Sequence, residues 1–132
     1  MTTHISTTSI RLLGVIEAGF PSPAEEKTSD TLTLDEWITD DWEATIMLKV
    51  QNSAMVGAGI IAGDLVLLNR RRTAKDGDIV LAEVDDKTAL RYFRKQGRRV
   101  WLEAANPHYQ SMVPQGKLVV SAVVTAVIRK YY

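Results

Sequence analysis

The chain has 132 residues, 45% of them apolar, with 16 Lys and Arg against 16 Asp and Glu and no cysteine. That length and apolar content suit one hydrophobic core, while the balanced charge argues against nucleic-acid binding driven by net charge, and disulfide and thiol chemistry are excluded. With no apolar run long enough to span a membrane and no signal-peptide layout at the start, a cytoplasmic protein without membrane contact is expected.

Met1 to Ser9 is rich in Thr and Ser and has little to bury. Ile10, Leu12, Leu13, Val15 and Ile16 then form a short apolar cluster ending at Ala18-Gly19. Its periodicity fits a helix or an extended arm equally well. Pro21, Ser22 and Pro23 stiffen the exit, because each proline fixes its own φ and restricts its predecessor. Residues 24–33 are polar and charged. The expected organisation is therefore a flexible arm and linker over residues 1–33 and a β-rich domain over 34–132. Leu34 to Ile38 reads as a short helix, with Thr33 as N-cap and Glu36 at capping-box spacing. Trp37 and Trp42 are expected to anchor this segment.

From Ala44 onward the chain is a series of strand-like runs: Ala44 to Val50, Leu65 to Leu68, Ile79 to Val84, Thr88 to Phe93, Val100 to Glu103 and Leu118 to Ile128. Turn signals fall at Asp76-Gly77, Asp85-Asp86, Gln96-Gly97 and Asn106-Pro107. The pattern predicts a mainly β fold of bent, partly barrel-like antiparallel sheets with little helix. The last run is β-branched and almost free of charge, so it is either central or covered by a partner.

The stretch Lys49 to Asp64 joins the first two runs. It passes Asn52, Ser53, Ala54 and Met55 and crosses Gly57, Gly59 and Gly63. Short polar residues and glycines on a loop held between rigid strands are a common setting for binding or catalytic groups, and equally for a plain connection.

Several blocks in this order resemble the self-cleaving family of UmuD mutagenesis proteins and LexA-type repressor C-terminal domains. AGFPSPA, from Ala18, is similar to the UmuD cleavage region. AGDLVLLNR and DGDIVLAEV are similar to the family's core strands, and FRKQGRRVWLEAANPHY is close to the LexA type. The likeness covers roughly Ala18 to Ile128. It implies a LexA/UmuD-type fold, a scissile bond at Ala18-Gly19, a loop of Ser53, Met55, Gly57 and Gly59 lining the cleft, and a homodimer formed partly through the C-terminal run.

The resemblance also exposes a departure. The family's nucleophile is a serine directly before methionine, and here Ala54 precedes Met55. Its partner lysine falls at Arg91. A serine–lysine dyad needs a hydroxyl to attack the carbonyl and a neutral amine to take the proton. Alanine has no hydroxyl, and arginine stays protonated. Ser53 is one residue away and in an extended segment would point to the opposite face. Lys49 and Lys87 serve as bases only in another register. Asn52 stands where the family usually has glycine and Gly57 where many members have aspartate. That wider drift favours a natural pseudo-enzyme over an engineered knockout, although the sequence leaves both open.

Three readings follow. The first is a UmuD-like protein of the DNA-damage response, a catalytically inactive homodimer that regulates an error-prone DNA polymerase and is linked to the recombinase filament. The second is an autopeptidase whose dyad was removed or lies in another register, cutting Ala18-Gly19. The third is a binding module on the same scaffold. Basic clusters at Arg70 to Arg72, Arg94-Lys95, Arg98-Arg99 and Arg129-Lys130 read mainly as solvated charge. There is no helix-turn-helix pattern, so sequence-specific DNA binding is not expected. His4 and His108, without cysteine, do not suggest a metal site, and no cofactor is expected. Arg91 could also pair with a carboxylate such as Glu83 or Asp85.

Overall fold

The computed structural model describes residues 10–16 and 32–132, together with the backbone of residues 25–26. The expectations for Met1 to Ser9, for the Ala18-Gly19 bond and for Pro21 to Pro23 lie outside the described residues. The chain forms two compact units, residues 1–42 and 43–132.

In the first unit the apolar cluster is extended. Strand β1, Gly14–Val15, pairs antiparallel with β2, Glu25–Glu26. Arg11 bridges to Thr33, the Leu12 N–H donates to the Leu32 carbonyl at 3.0 Å, and the Leu34 N–H donates to the Ile10 carbonyl at 2.7 Å. Backbone pairing thus settles what periodicity left open. Helix α1, Leu34–Ile38, starts where Thr33 Oγ1 accepts the Glu36 N–H at 3.3 Å, so the expected cap forms. Trp37 lines an apolar groove with Ile10, Leu12, Leu32 and Leu34 and is 68% exposed.

The second unit is one antiparallel sheet of six strands. They are β3 (Thr45–Lys49), β4 (Leu65–Asn69), β5 (Ile79–Val84), β6 (Lys87–Gln96), β7 (Arg99–Glu103) and β8 (Leu118–Ile128), in the order β3-β4-β8-β5-β6-β7. The charge-poor β8 therefore lies between β4 and β5, where both its edges are paired. Register shifts between Leu67 and Leu68 and between Leu81 and Ala82 put bulges on both sides of it, and bulges bend a sheet.

The β5–β6 hairpin turns on Asp85 and Asp86 at φ 48° and 71°, the left-handed pair that a two-residue type I′ turn requires. The Asp85 carboxylate accepts the backbone N–H groups of Gln115, Gly116 and Lys117 at 3.0–3.2 Å. Those three bonds hold its carboxyl below the ordinary aspartate value. They also fix the approach to β8.

Alternation along the strands builds two apolar clusters. Val80, Ala82, Val84, Phe93, Leu102 and Val123 form one. Met55, Ile60, Val66, Leu68 and Ala122 form the other, with Leu81, Leu90 and Tyr92 packed against it. Since residues 80 and 81, or 90 and 91, point to opposite sides of the sheet, the glycine-rich loop covers the side of Leu81 and Leu90.

Candidate functional site

The loop between β3 and β4 is closed at its base by backbone bonds. The Val50 N–H donates to the Asp64 carbonyl at 2.9 Å, and the Gly63 N–H donates to the Val50 carbonyl at 2.8 Å. Asn52 Oδ1 accepts the Ala54 N–H at 3.2 Å, a side-chain-stabilised turn that starts the loop. Met55 is 1% exposed and plugs the apolar cluster, and Ala54 beside it is fully buried. Ser53 is exposed, and its carbonyl accepts the Val56 N–H and Asn106 Nδ2. A short 3₁₀ turn, Val56–Ala58, ends at Gly59 in the left-handed conformation at φ 83°. Glycine is needed there for its backbone angle.

A second loop closes over the first. The Ala105 N–H donates to the Ala54 carbonyl at 2.9 Å and the Gly57 N–H donates to the Ala105 carbonyl at 2.7 Å. Asn106 Nδ2 donates to the Ser53 carbonyl at 2.9 Å. The same segment carries Tyr109, whose ring lies 5.3 Å from the Arg91 guanidinium. Ala54 and Arg91 are thus joined through residues 105–109. In the sequence this loop is marked by the Asn106-Pro107 turn signal and by the end of the FRKQGRRVWLEAANPHY block, neither of which gives Ala105 or Tyr109 a role of its own.

Arg91 is 8% exposed and stands opposite Val80 on β5. Its Nη1 donates to the Leu90 carbonyl at 2.8 Å, and its Nε is buried without a hydrogen-bond partner. Burial pulls this guanidinium below the ordinary arginine value, and Tyr109 offsets part of that. Asp85 is not its partner, since that carboxylate is taken up by the amides of 115–117. Lys49 and Lys87 are exposed strand residues.

The far side of the glycine loop is tied to the end of β8. Asp64, 1% exposed, receives Arg129 Nε on Oδ1 at 2.7 Å and Arg129 Nη2 on Oδ2 at 2.6 Å. Oδ2 also accepts the Ile61 N–H at 2.8 Å, and Arg129 Nη2 donates to the Gly59 carbonyl at 2.7 Å. Side-chain hydrogen bonds from Arg129, followed by the Ile61 N–H, hold the Asp64 carboxyl down to about 2. Sequence reasoning placed Asp64 only at the boundary of the loop and Arg129 only in a basic cluster.

Other members of the basic clusters also have structural work. Arg70 Nη2 donates to the Glu43 carbonyl at 3.0 Å, Arg94 Nε donates to Glu103 at 2.7 Å and lies over the Tyr92 ring, and Arg99 lies over Trp101. Among the described residues no group of three or more His, Asp or Glu side chains is arranged to hold a metal ion, and no helix is long and apolar enough to cross a membrane.

A bulged antiparallel sheet of mainly β class, with a glycine-rich loop pinned on one side by a short connection and on the other by the bond of a buried aspartate to a partly exposed arginine, fits a LexA/UmuD-type domain. The chain belongs to the Peptidase S24-like family, which matches residues 11–124. It is similar to the LexA repressor of Bifidobacterium longum (strain DJO10A), 37% identical over 121 residues that make up 92% of this chain and 49% of that protein. The LexA repressor of Anaeromyxobacter sp. (strain Fw109-5) is 31% identical over 125 residues, 92% of this chain and 54% of that protein. That of Desulfitobacterium hafniense (strain DCB-2) is 29% identical over 118 residues, 89% of this chain and 57% of that protein. The chain thus spans about half the length of these relatives.

Proposed function

We propose that this chain is a UmuD-like regulator of the SOS response that does not cleave itself, acts as a homodimer and binds an error-prone DNA polymerase. On this reading residues 1–33 are the arm and 34–132 the partner-binding domain. What supports it is the residue chemistry at the two positions that the resemblance matches to the family's nucleophile and base. Ala54, fully buried beside Met55, offers no hydroxyl, and Arg91 offers a buried cation with no neutral amine. Ser53 is held by its carbonyl on the exposed side of the loop, and Lys49 and Lys87 lack the burial that turns a lysine into a base. Binding requires the surface of the sheet and its loops, which the substitutions leave in place.

The test is intact mass after incubation at mildly alkaline pH, with and without an activated recombinase filament. The expected result is an unchanged mass for the protein as it stands. The double variant Ala54→Ser, Arg91→Lys is expected to lose residues 1–18 by cleavage at Ala18-Gly19. Loss of that segment from the unaltered chain would overturn the reading and return the autopeptidase alternative. Co-purification with a polymerase, and a dimeric mass in solution, test the partner and the assembly separately.

A further inference from the structure

The chain as a whole is charge-balanced, but all except Arg11 and Lys27 of its 16 Lys and Arg lie in residues 43–132, against half of its 16 Asp and Glu. Strand order gathers much of that surplus at one end of the sheet. Asn69 on β4 and Val80 on β5 both pair with Val123 of β8, Ile79 pairs with Tyr92 of β6, and Tyr92 pairs with Glu103 of β7. The β4–β5 loop and the β6–β7 turn therefore leave the sheet side by side. Hydrogen bonds join them: the Gly77 N–H donates to the Phe93 carbonyl at 2.8 Å, and Asp76 Oδ1 accepts the Lys95 N–H at 2.8 Å.

The loop carries Arg70, Arg71, Arg72 and Lys75, and the hairpin carries Arg94, Lys95, Arg98 and Arg99. Four carboxylates stand among these eight cations. Glu43 pairs with Arg71 and Glu103 with Arg94, while Asp76 and Asp78 turn onto the backbone N–H groups of Lys95 and Lys75. Arg72, Lys75, Lys95 and Arg98 are exposed, and among the described residues no ion pair involves them. Such a local surplus attracts polyanions whatever the net charge of the chain. Beside it, one face of the β6–β7 pair carries a row of planar groups. Arg94 stands directly opposite Trp101 with its guanidinium 4.8 Å from the centre of the Tyr92 ring, and the Arg99 guanidinium lies 5.5 Å from that of Trp101. All four side chains reach the surface.

We propose that this end of the sheet binds single-stranded nucleic acid without base-sequence preference. Arg72, Lys75, Lys95 and Arg98 take the backbone phosphates, and unpaired bases stack on the Arg99–Trp101 and Arg94–Tyr92 pairs. A duplex keeps its base faces stacked inside, and an acidic protein surface has carboxylates but no row of planar groups. An unpaired strand is the polyanion that uses both features. This binding does not depend on the reading of Ala54 and Arg91 given above.

The experiment is fluorescence anisotropy of a labelled oligothymidylate of about 20 nucleotides, longer than the usual site of a single-strand binder, titrated with the full chain at several salt concentrations. Binding is expected to weaken with salt at a log–log slope of about −3, the value for about four phosphates at about −0.7 each. The double variant Arg72→Gln, Arg98→Gln should bind roughly tenfold more weakly, with a slope shallower by about 1.4. Lys87→Gln, Lys117→Gln removes the same charge at the other end of the sheet, where Val84 pairs with Lys87 and Leu118, and should bind as the unaltered chain does. Trp101→Leu keeps apolar bulk but no ring, and should weaken binding roughly tenfold at an unchanged slope. Urea unfolding verifies that each variant folds.

Equal losses in the two charge variants would mean attraction by net charge alone, and undiminished binding by Trp101→Leu would remove the bases from the site. Either result overturns the proposal, as does absence of binding at low salt or tighter binding of a duplex of the same length. Displacement of the oligonucleotide by polyglutamate as readily as by unlabelled oligothymidylate, at equal charge concentration, would overturn it too and assign the surface to an acidic protein partner.

Discussion

Gly57 and Ala105 meet backbone to backbone: the Gly57 N–H donates to the Ala105 carbonyl at 2.7 Å, and a Cβ on Gly57 would stand 2.6 Å from that same oxygen. The glycine allows the second loop to close on the first.

Gly57→Ala is accordingly expected to destabilise the protein by about 1–3 kcal/mol, the usual range for forcing extra atoms into a packed contact. Urea unfolding should show a lower midpoint at an unchanged slope. Gly59→Ala should also destabilise, by about 1 kcal/mol, for a different reason: its φ of 83° is disfavoured for a side chain although nothing crowds the position. Loosening of the Ala105 amide in hydrogen exchange should accompany the first substitution more than the second.

The Asp64–Arg129 pair should appear in acid unfolding. Asp64 has a folded-state value of about 2 against an ordinary 3.8, so the folded state holds the ionised form and gains stability from it above the unfolded value. That contribution is complete at neutral pH and is lost as pH falls from about 4 through about 2. Stability of the wild type and of Asp64→Asn, measured against pH, should differ by a constant amount at neutral pH and converge across that window. A gap that persists below it would locate the effect in packing instead of charge.

Asp85 combines a left-handed backbone angle with three accepted amide bonds. Asp85→Asn keeps the tolerance for that angle and one acceptor oxygen, whereas Asp85→Ala loses both. Amide exchange at Gln115, Gly116 and Lys117 should accelerate strongly in the alanine variant and less in the asparagine variant, with little change in β3.

Replacing Arg91 with methionine removes a buried cation and keeps a long apolar stem. Arg91→Met should be neutral or more stable than the wild type by about 1 kcal/mol, read from thermal or urea unfolding. A marked loss of stability would mean that the Tyr109 contact and the Leu90 bond outweigh the cost of burial.

Much of the sheet was legible in the chain. Ile79 to Val84 and Leu118 to Ile128 were read to the residue because β-branched and apolar runs bounded by turn residues leave few alternatives. The Thr33 cap was legible for the same local reason. Strand β6 runs further at both ends than the pattern suggested, taking in Lys87 and Arg94 to Gln96, because pairing with β5 and β7 supplies hydrogen bonds that composition does not record. The apolar cluster from Ile10 proved extended through its bonds to Leu32 and Leu34, partners some 20 residues away.

The sequence by itself determined the β class, most strand and turn positions and the loop of glycines, because each depends on residue type and near-neighbour spacing. Only the tertiary structure decided that β8 is internal, that residues 105–109 link Ala54 to Arg91, that Asp64 reaches Arg129 across 65 residues, and that Arg91 lies buried against Tyr109. Those facts arise from strand order and register, which bring together groups that no local pattern connects.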